Sequence, residues 1–358
     1  MRIDGRASLV LENPVARLTV DLLGGSFVEF QFQDQKLNPL VWNNSGDPDQ
    51  PRQMSHFLCL DRWGWPSKAE AARGMPYHGE AGLVEWRIVD PPRVADGGVC
   101  AHLRTTLPMA NLAVSRRIHL DCKEAVFTVT ESVTNLNQLG SVLNMVQHPS
   151  IGPPFLDERT VIDANATEGF VLANTMPNPE RWPTWWPQAL DSDGQSVNMR
   201  YLQDNHDPNV VAYVIDEKLG WTTAANPAHG LLIGYLWKTA DYPWFIAWRR
   251  AEHGKPFARG IEFGTTGLDW PQGELVRKGR IFGRPLFVYL DAGETLTKSF
   301  TCFLLRIPPD YAGVEAVRQT GTGLGVRGRG AAKAREIALD SATLRAAGLA
   351  AGDHGSLL

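Results

Sequence analysis

The chain has 358 residues, a net charge of −4 and a sequence pI near 6.2. Hydrophobic residues make up 43% and charged residues 21%, an ordinary globular composition with no basic footprint for nucleic acid or an anionic membrane. Cys59, Cys100, Cys122 and Cys302 are far apart and form no C-x-x-C pair, so neither a cysteine zinc site nor a disulfide framework is expected.

Period-two and β-branched patterns dominate from the start. Strands are predicted at Ala7 to Glu12, Val15 to Asp21 and Ser26 to Gln33, the last two turned by Gly24-Gly25. Lys68 to Arg73 is a short alanine-rich helix candidate. Ala110 to Val133 alternates charged and apolar residues, as hairpin strands with one solvated face do, and Val142 to Val146 resumes strand character. Asp157 to Asp207 is rich in Asn, Pro and Trp and is predicted to be mostly an ordered, functional loop. Further strands are predicted at Val210 to Val214, Gly230 to Trp237, Leu286 to Leu290 and Leu296 to Leu305, with a second short helix at Gly313 to Gln319. The expectation is an all-β domain over 1–308 with few short helices, then a partly helical C-terminal extension over 309–358. The glycines of Gly321 to Gly330 follow no strand-to-helix junction and make a poor nucleotide loop. No run of about 18 apolar residues and no secretory leader is apparent, so a cytoplasmic location is the default expectation.

Three distant strings put an ionisable side chain beside glycine, proline or an aromatic. They are Tyr77-His78-Gly79-Glu80, Asn144-Met145-Val146-Gln147-His148-Pro149 and Gly260-Ile261-Glu262-Phe263-Gly264. His148 ends a strand-like run before a proline that enforces extended geometry. It reads either as a histidine satisfied by a backbone carbonyl or as a proton donor and acceptor near neutral pH. His78 is either an exposed loop histidine or a ligand contact in a glycine-rich loop. Glu262, between apolar strand neighbours, needs a partner against desolvation; Arg259 and Arg62 are available. A metal is not expected, because no H-x-x-x-H or H-E-x-x-H pairing occurs, and no G-x-S-x-G elbow suggests a serine nucleophile. Twelve tryptophans include Trp63 and Trp65, Trp182, Trp185 and Trp186, and Trp244 with Trp248. Such rings either offer flat faces to sugar C–H groups or plug the ends of a sandwich.

Taken in order, these strings resemble the galactose mutarotase-like superfamily, which includes the aldose 1-epimerases. The resemblance rests on Leu23-Gly24-Gly25-Ser26 with Leu40-Val41-Trp42, His78-Gly79 before Glu85-Trp86, Val133-Thr134-Asn135 before Asn144 and His148, and Gly260 to Thr266, over roughly residues 7–307. It implies a large antiparallel β-supersandwich with a cofactor-free site for a small-molecule sugar or sugar derivative. By position, Glu262 would be the general base at the anomeric hydroxyl, His148 the acid at the ring oxygen, and His78 a hydrogen-bonding stabiliser. That chemistry calls for an ionised carboxylate beside a protonated imidazole. Arg62, Asn144, Trp185, Trp244 and Trp248 are the expected substrate contacts. The family places Asn before its histidine, where this chain has Gln147; its hydroxyl-gripping aspartate could correspond to Asp207, Asp216 or Asp241. A carbohydrate-binding or sensing protein without catalysis, and a polysaccharide lyase, are the competing readings.

Overall fold

The computed structural model describes residues 1–174, 178–330, 335–338 and 343. Two antiparallel sheets face each other. The 12-stranded sheet runs, in spatial order, from Arg2–Ile3 through Arg6–Glu12, Ala16–Asp21, Phe27–Phe32, His56–Asp61, Ser141–Ile151, Lys255–Gly264, Trp244–Glu252, Val210–Ile215 and Ala166–Val171 to Thr184–Trp185, with Val288–Leu290 paired on Ser141–Ile151. The 8-stranded sheet runs from Val161–Ala164 through Leu219–Asn226, Leu231–Lys238, Thr295–Arg306, Val126–Asn135, Leu112–Asp121 and Gly98–Leu107 to Arg87–Ala95. The all-β expectation holds. Among the described residues no helix is long and apolar enough to cross a membrane.

Alternation along each strand sorts side chains between two faces. Met145, Ile261, Phe263 and Phe245 point inward to meet Phe127, Val129, Tyr235 and Phe300 from the other sheet. Phe263 stacks on Trp237 with centroids 4.2 Å apart. The opposite face of the larger sheet carries Phe57, Cys59, Val146, Trp244 and Ile246, partly roofed by Leu268, Leu275, Ile281 and Leu286.

One polar network links the two sheets through the interior. Arg116 Nε donates to Glu131 Oε1 at 2.6 Å, and Gln147 Nε2 donates to Glu131 Oε2 at 2.6 Å. Gln147 Oε1 lies 3.1 Å from His56 Nε2, whose Nδ1 lies 3.3 Å from the Tyr235 hydroxyl. Arg116 also donates to the Gly25 carbonyl and sits 4.0 Å over the Trp86 ring. Glu131 and Tyr235 belong to one sheet, Gln147 and His56 to the other.

The short helix at Lys68–Ala72 forms, held by a Ser67–Glu70 capping box. The helix predicted at Gly313 to Gln319 does not. Val314–Gln319 is a strand, because buried Val314 and Val317 cover the outer face of the 8-stranded sheet, and it pairs with Gly323–Gly328, which pairs with Arg335–Ala338. Within the predicted C-terminal extension, residues 331–334, 339–342 and 344–358 lie outside the described residues. The segment from Asp157 to Asp207 is less loop-like than predicted: it contributes Val161–Ala164, Ala166–Val171, Thr184–Trp185, Gln188–Leu190 and Ser196–Asn198. Pro179, Pro183 and Pro187 sit between these short strands and mask their pattern.

Removing one partner of a buried ion pair strands the other charge. Arg116→Ala or Glu131→Ala is therefore expected to cost about 3–5 kcal/mol in urea unfolding; a loss below about 1 kcal/mol would show that the network does not hold the sheets together.

Candidate active site

The strands His56–Asp61, Ser141–Ile151, Lys255–Gly264 and Trp244–Glu252 are neighbours in the larger sheet. Their outward positions therefore lie side by side. Ser141–Ile151 presents Asn144, Val146 and His148 on this face; Lys255–Gly264 presents Gly260, Glu262 and Gly264. His148 Nε2 lies 3.2 Å from Glu262 Oε1. The other carboxyl oxygen, Oε2, accepts from Trp63 Nε1 at 3.1 Å. Gly260 is required here, since a Cβ at that position would press on Glu262 Oε1 and the Trp248 Cβ.

Aromatic rings enclose the pair. Phe57 stacks on His148 at 4.3 Å, Trp42 lies 6.3 Å away at 20°, and Trp248 lies 5.9 Å away. Trp42 also borders a cavity of about 650 Å³ with Val41, Asn43, Pro153 and Phe257. His78 approaches from a loop, its ring 5.4 Å from that of His148. That loop turns through positive φ at His78 and Gly79, where a Cβ on Gly79 would collide with the Leu60 carbonyl. The Gly64 N–H donates to His78 Nδ1 at 3.0 Å and the His78 N–H returns to the Gly64 carbonyl at 3.0 Å. Nδ1 is thus an acceptor, and neutral His78 carries its proton on Nε2.

Burial dominates the electrostatics. Desolvation pushes Glu262 well above the usual carboxylate range, opposed by the Trp63 hydrogen bond and helped by the nearby Asp269 charge. Desolvation lowers His148 to about 3. His78 is lowered well below its ordinary value by burial and by His148. Both shifts work against the expected pair of ionised carboxylate and protonated imidazole, because burial disfavours each charge. Ser150 Oγ lies 2.9 Å from His148 Nδ1, and its hydroxyl donates to the His148 carbonyl at 3.4 Å. With its hydroxyl turned to that carbonyl, Ser150 accepts from Nδ1–H, and Nε2 faces Glu262 across the 3.2 Å contact. Burial of both groups favours an uncharged pair with one proton between them.

The other predicted contacts are placed as follows. Trp248 joins the aromatic enclosure. Asn144 lies on the same face but is fully buried, accepting from Thr265 Oγ1 at 3.1 Å. Arg62 turns away from the pair, bonding Asp61 at 2.6 Å and Glu70 at 2.9 Å beside a separate cavity of about 330 Å³. Trp244 is fully buried, donating to the Pro285 carbonyl at 2.9 Å. Trp185 is exposed on the edge strand Thr184–Trp185, four strands from Glu262. Asp207 and Asp216 bond Ser192 and Arg284 at the surface, and Asp241 lies 3.9 Å from Lys298. The aspartate near the pair is Asp269, half-buried against Gly64, its carboxyl raised chiefly by burial. Sequence reasoning does not find Asp269, Trp42, Trp63 and Ser150 as site residues. Trp63 belongs to a tryptophan-rich string, whereas Asp269 carries no motif.

A Ser–His–Asp chain also exists elsewhere. His102 Nε2 lies 2.8 Å from Ser115 Oγ and Nδ1 lies 3.1 Å from Asp90 Oδ2 on the outer face of the smaller sheet. Ser115 is mid-strand, paired with Arg104 on one side and Ser132 on the other. Backbone N–H groups around it are engaged in the ladder, so they offer no oxyanion site.

The family model described as Domain of unknown function (DUF4432) matches residues 60–281. No curated protein matches the chain in sequence. Solved structures share its fold. A protein of Synechocystis sp. PCC 6803 superposes with TM-score 0.61 at 14% identity, covering 84% of this chain and 96% of its own. A candidate aldose 1-epimerase of Escherichia coli gives TM-score 0.59 at 17% identity, covering 84% and 99%. A galactose mutarotase related enzyme of Lactobacillus acidophilus gives 0.61 at 11%, covering 84% and 98%.

Burial of neutral histidines makes the fold acid-sensitive. His56 and His148 are both lowered to about 3, and His78 falls well below 6.5, while the unfolded chain titrates them near 6.5. Between those values the unfolded state binds more protons, so stability falls as pH drops from about 6.5 towards 3. Glu262 has the opposite sign: its contribution is present below its ordinary value and lost as pH rises through its raised one. The urea midpoint should fall between pH 7 and pH 5, and His56→Gln should flatten the slope by about one proton. A pH-independent midpoint over that interval would contradict the buried neutral histidines.

Proposed function

The chain belongs to the family described as Domain of unknown function (DUF4432) and has the galactose mutarotase-like fold, and from that premise we propose that it is an aldose 1-epimerase-like enzyme interconverting the anomers of a free sugar or sugar derivative. The observation that carries the proposal is the 3.2 Å contact of His148 Nε2 with Glu262 Oε1 inside an aromatic enclosure. An acid and a base that share one proton match the demands of hemiacetal opening.

With the proton on His148, Glu262 removes the O1 hydrogen while Nε2–H protonates O5. The C1–O5 bond breaks and C1=O1 forms. Afterwards Glu262 is protonated and His148 is neutral, the distribution that burial favours. Desolvation thus supports the ring-opened half of the cycle. Rotation about C1–C2 and reversal of both transfers close the other anomer. The direct Glu262–His148 contact lets the proton cross between them, so the pair meets either the cyclic or the open form without exchange with solvent. His78 Nε2–H is available to a sugar oxygen, and Trp248 and Trp42 offer apolar faces to the ring.

Glu262→Gln keeps an N–H to give His148 and preserves shape, yet it removes the movable proton. This variant and His148→Ala should each slow anomer exchange, measured by NMR on a panel of aldoses, by roughly 10²–10⁴. Near-normal exchange in either variant would refute these roles, and no exchange by the wild-type chain on any sugar would refute the activity.

A further inference from the structure

An aromatic ladder leads from the proton pair into solvent. The His148 and His78 rings are 5.4 Å apart, His78 and Tyr77 are 3.7 Å apart, and Tyr77 and Trp65 are 4.6 Å apart. Exposure rises along it in the same order: 5% at His148, 6% at His78, 39% at Tyr77 and 67% at Trp65. A pyranose is about the size of one such ring, so the ladder is longer than one monosaccharide needs.

The outer end is held in place rather than trailing. The reciprocal Gly64–His78 hydrogen bonds fasten the segment carrying Trp65 to the segment carrying Tyr77. Gly64 sits at φ 89 against Asp269. Beyond Trp65, Pro66 restricts the backbone and Ser67 begins a capped helix. Arg62, buried, ties Glu70 of that helix back to the end of the strand at 2.9 Å. An exposed tryptophan set on a braced loop loses little freedom on binding a flat apolar partner.

We propose that Trp65 and Tyr77 form a second sugar subsite, and that the substrate is a reducing disaccharide or longer reducing saccharide. This rests on the anomer-exchange reading. The reducing ring places its free C1 at Glu262 and His148, and the next ring, linked through another carbon, lays its C–H face on Trp65 and Tyr77.

The test is calorimetric titration of the full chain with glucose, galactose, maltose, cellobiose, lactose and melibiose, repeated with Trp65→Ala and Trp65→Phe. Trp65 is exposed, and retention of the wild-type near-ultraviolet circular dichroism outside its own contribution checks folding. At least one disaccharide is expected to bind more tightly than its component monosaccharides. Trp65→Ala should lower that disaccharide-to-monosaccharide affinity ratio roughly tenfold, and Trp65→Phe should restore most of it. Equal affinity of the wild type for disaccharides and monosaccharides, or a ratio unmoved by Trp65→Ala, overturns the second subsite while leaving the anomer-exchange reading intact. Failure of every sugar to bind removes that reading and this one with it.

Discussion

The site depends on the register of one strand. Ser141–Ile151 lies between His56–Asp61 and Lys255–Gly264, and its successive residues point to opposite faces. Gln147 points inward, where Glu131 and His56 hold its amide at both ends. His148 must then point outward, towards Glu262. A slip of one residue would bury the imidazole in the polar network and expose the amide. The network between the sheets thus fixes the site on the far side of the sheet, and the Arg116–Glu131 pair that anchors it acts on the chemistry only through this register.

Desolvation is the second constraint. Glu262 is 1% exposed and His148 5%, and neither ion is cheap in such a place. A single proton shared between them avoids both charges. The surroundings serve that arrangement: Ser150 orients Nδ1–H, Trp63 orients Oε2, and Gly260 leaves room for the carboxyl group. Phe57, Trp42 and Trp248 keep water from competing for the same bonds. A pair exposed to water would instead titrate near ordinary values, with the carboxyl group ionised at neutral pH.

The alternating strands were legible because burial on one face leaves a period of two. Val314–Gln319 was not, since its two buried valines are three residues apart and match a helix as well as a bulged strand. His148 and Glu262 are candidates from their proline and apolar neighbours and from the resemblance, although His148 lies within Ser141–Ile151 rather than at a strand end. Their 3.2 Å contact could not, because it depends on pairing between segments over a hundred residues apart. Tryptophan content signalled aromatic surfaces without saying which rings face out. Trp244 is a core residue and Trp65 an exposed one, although both sit in strings of similar composition. Gln147 shows the same ambiguity: beside His148 in sequence, it is on the opposite face in space. Asp269 carries no local pattern, Trp42 enters only through the resemblance, and the folded chain alone brings them near the pair.

The most direct test of the central claim is nitrogen-15 NMR of the histidine side chains at neutral pH, with His148 assigned by substitution. The account predicts a neutral His148 ring, protonated at Nδ1, whose bare Nε2 accepts a hydrogen bond that changes in Glu262→Gln. A His148 ring protonated on both nitrogens at that pH, or one indifferent to Glu262, would contradict it.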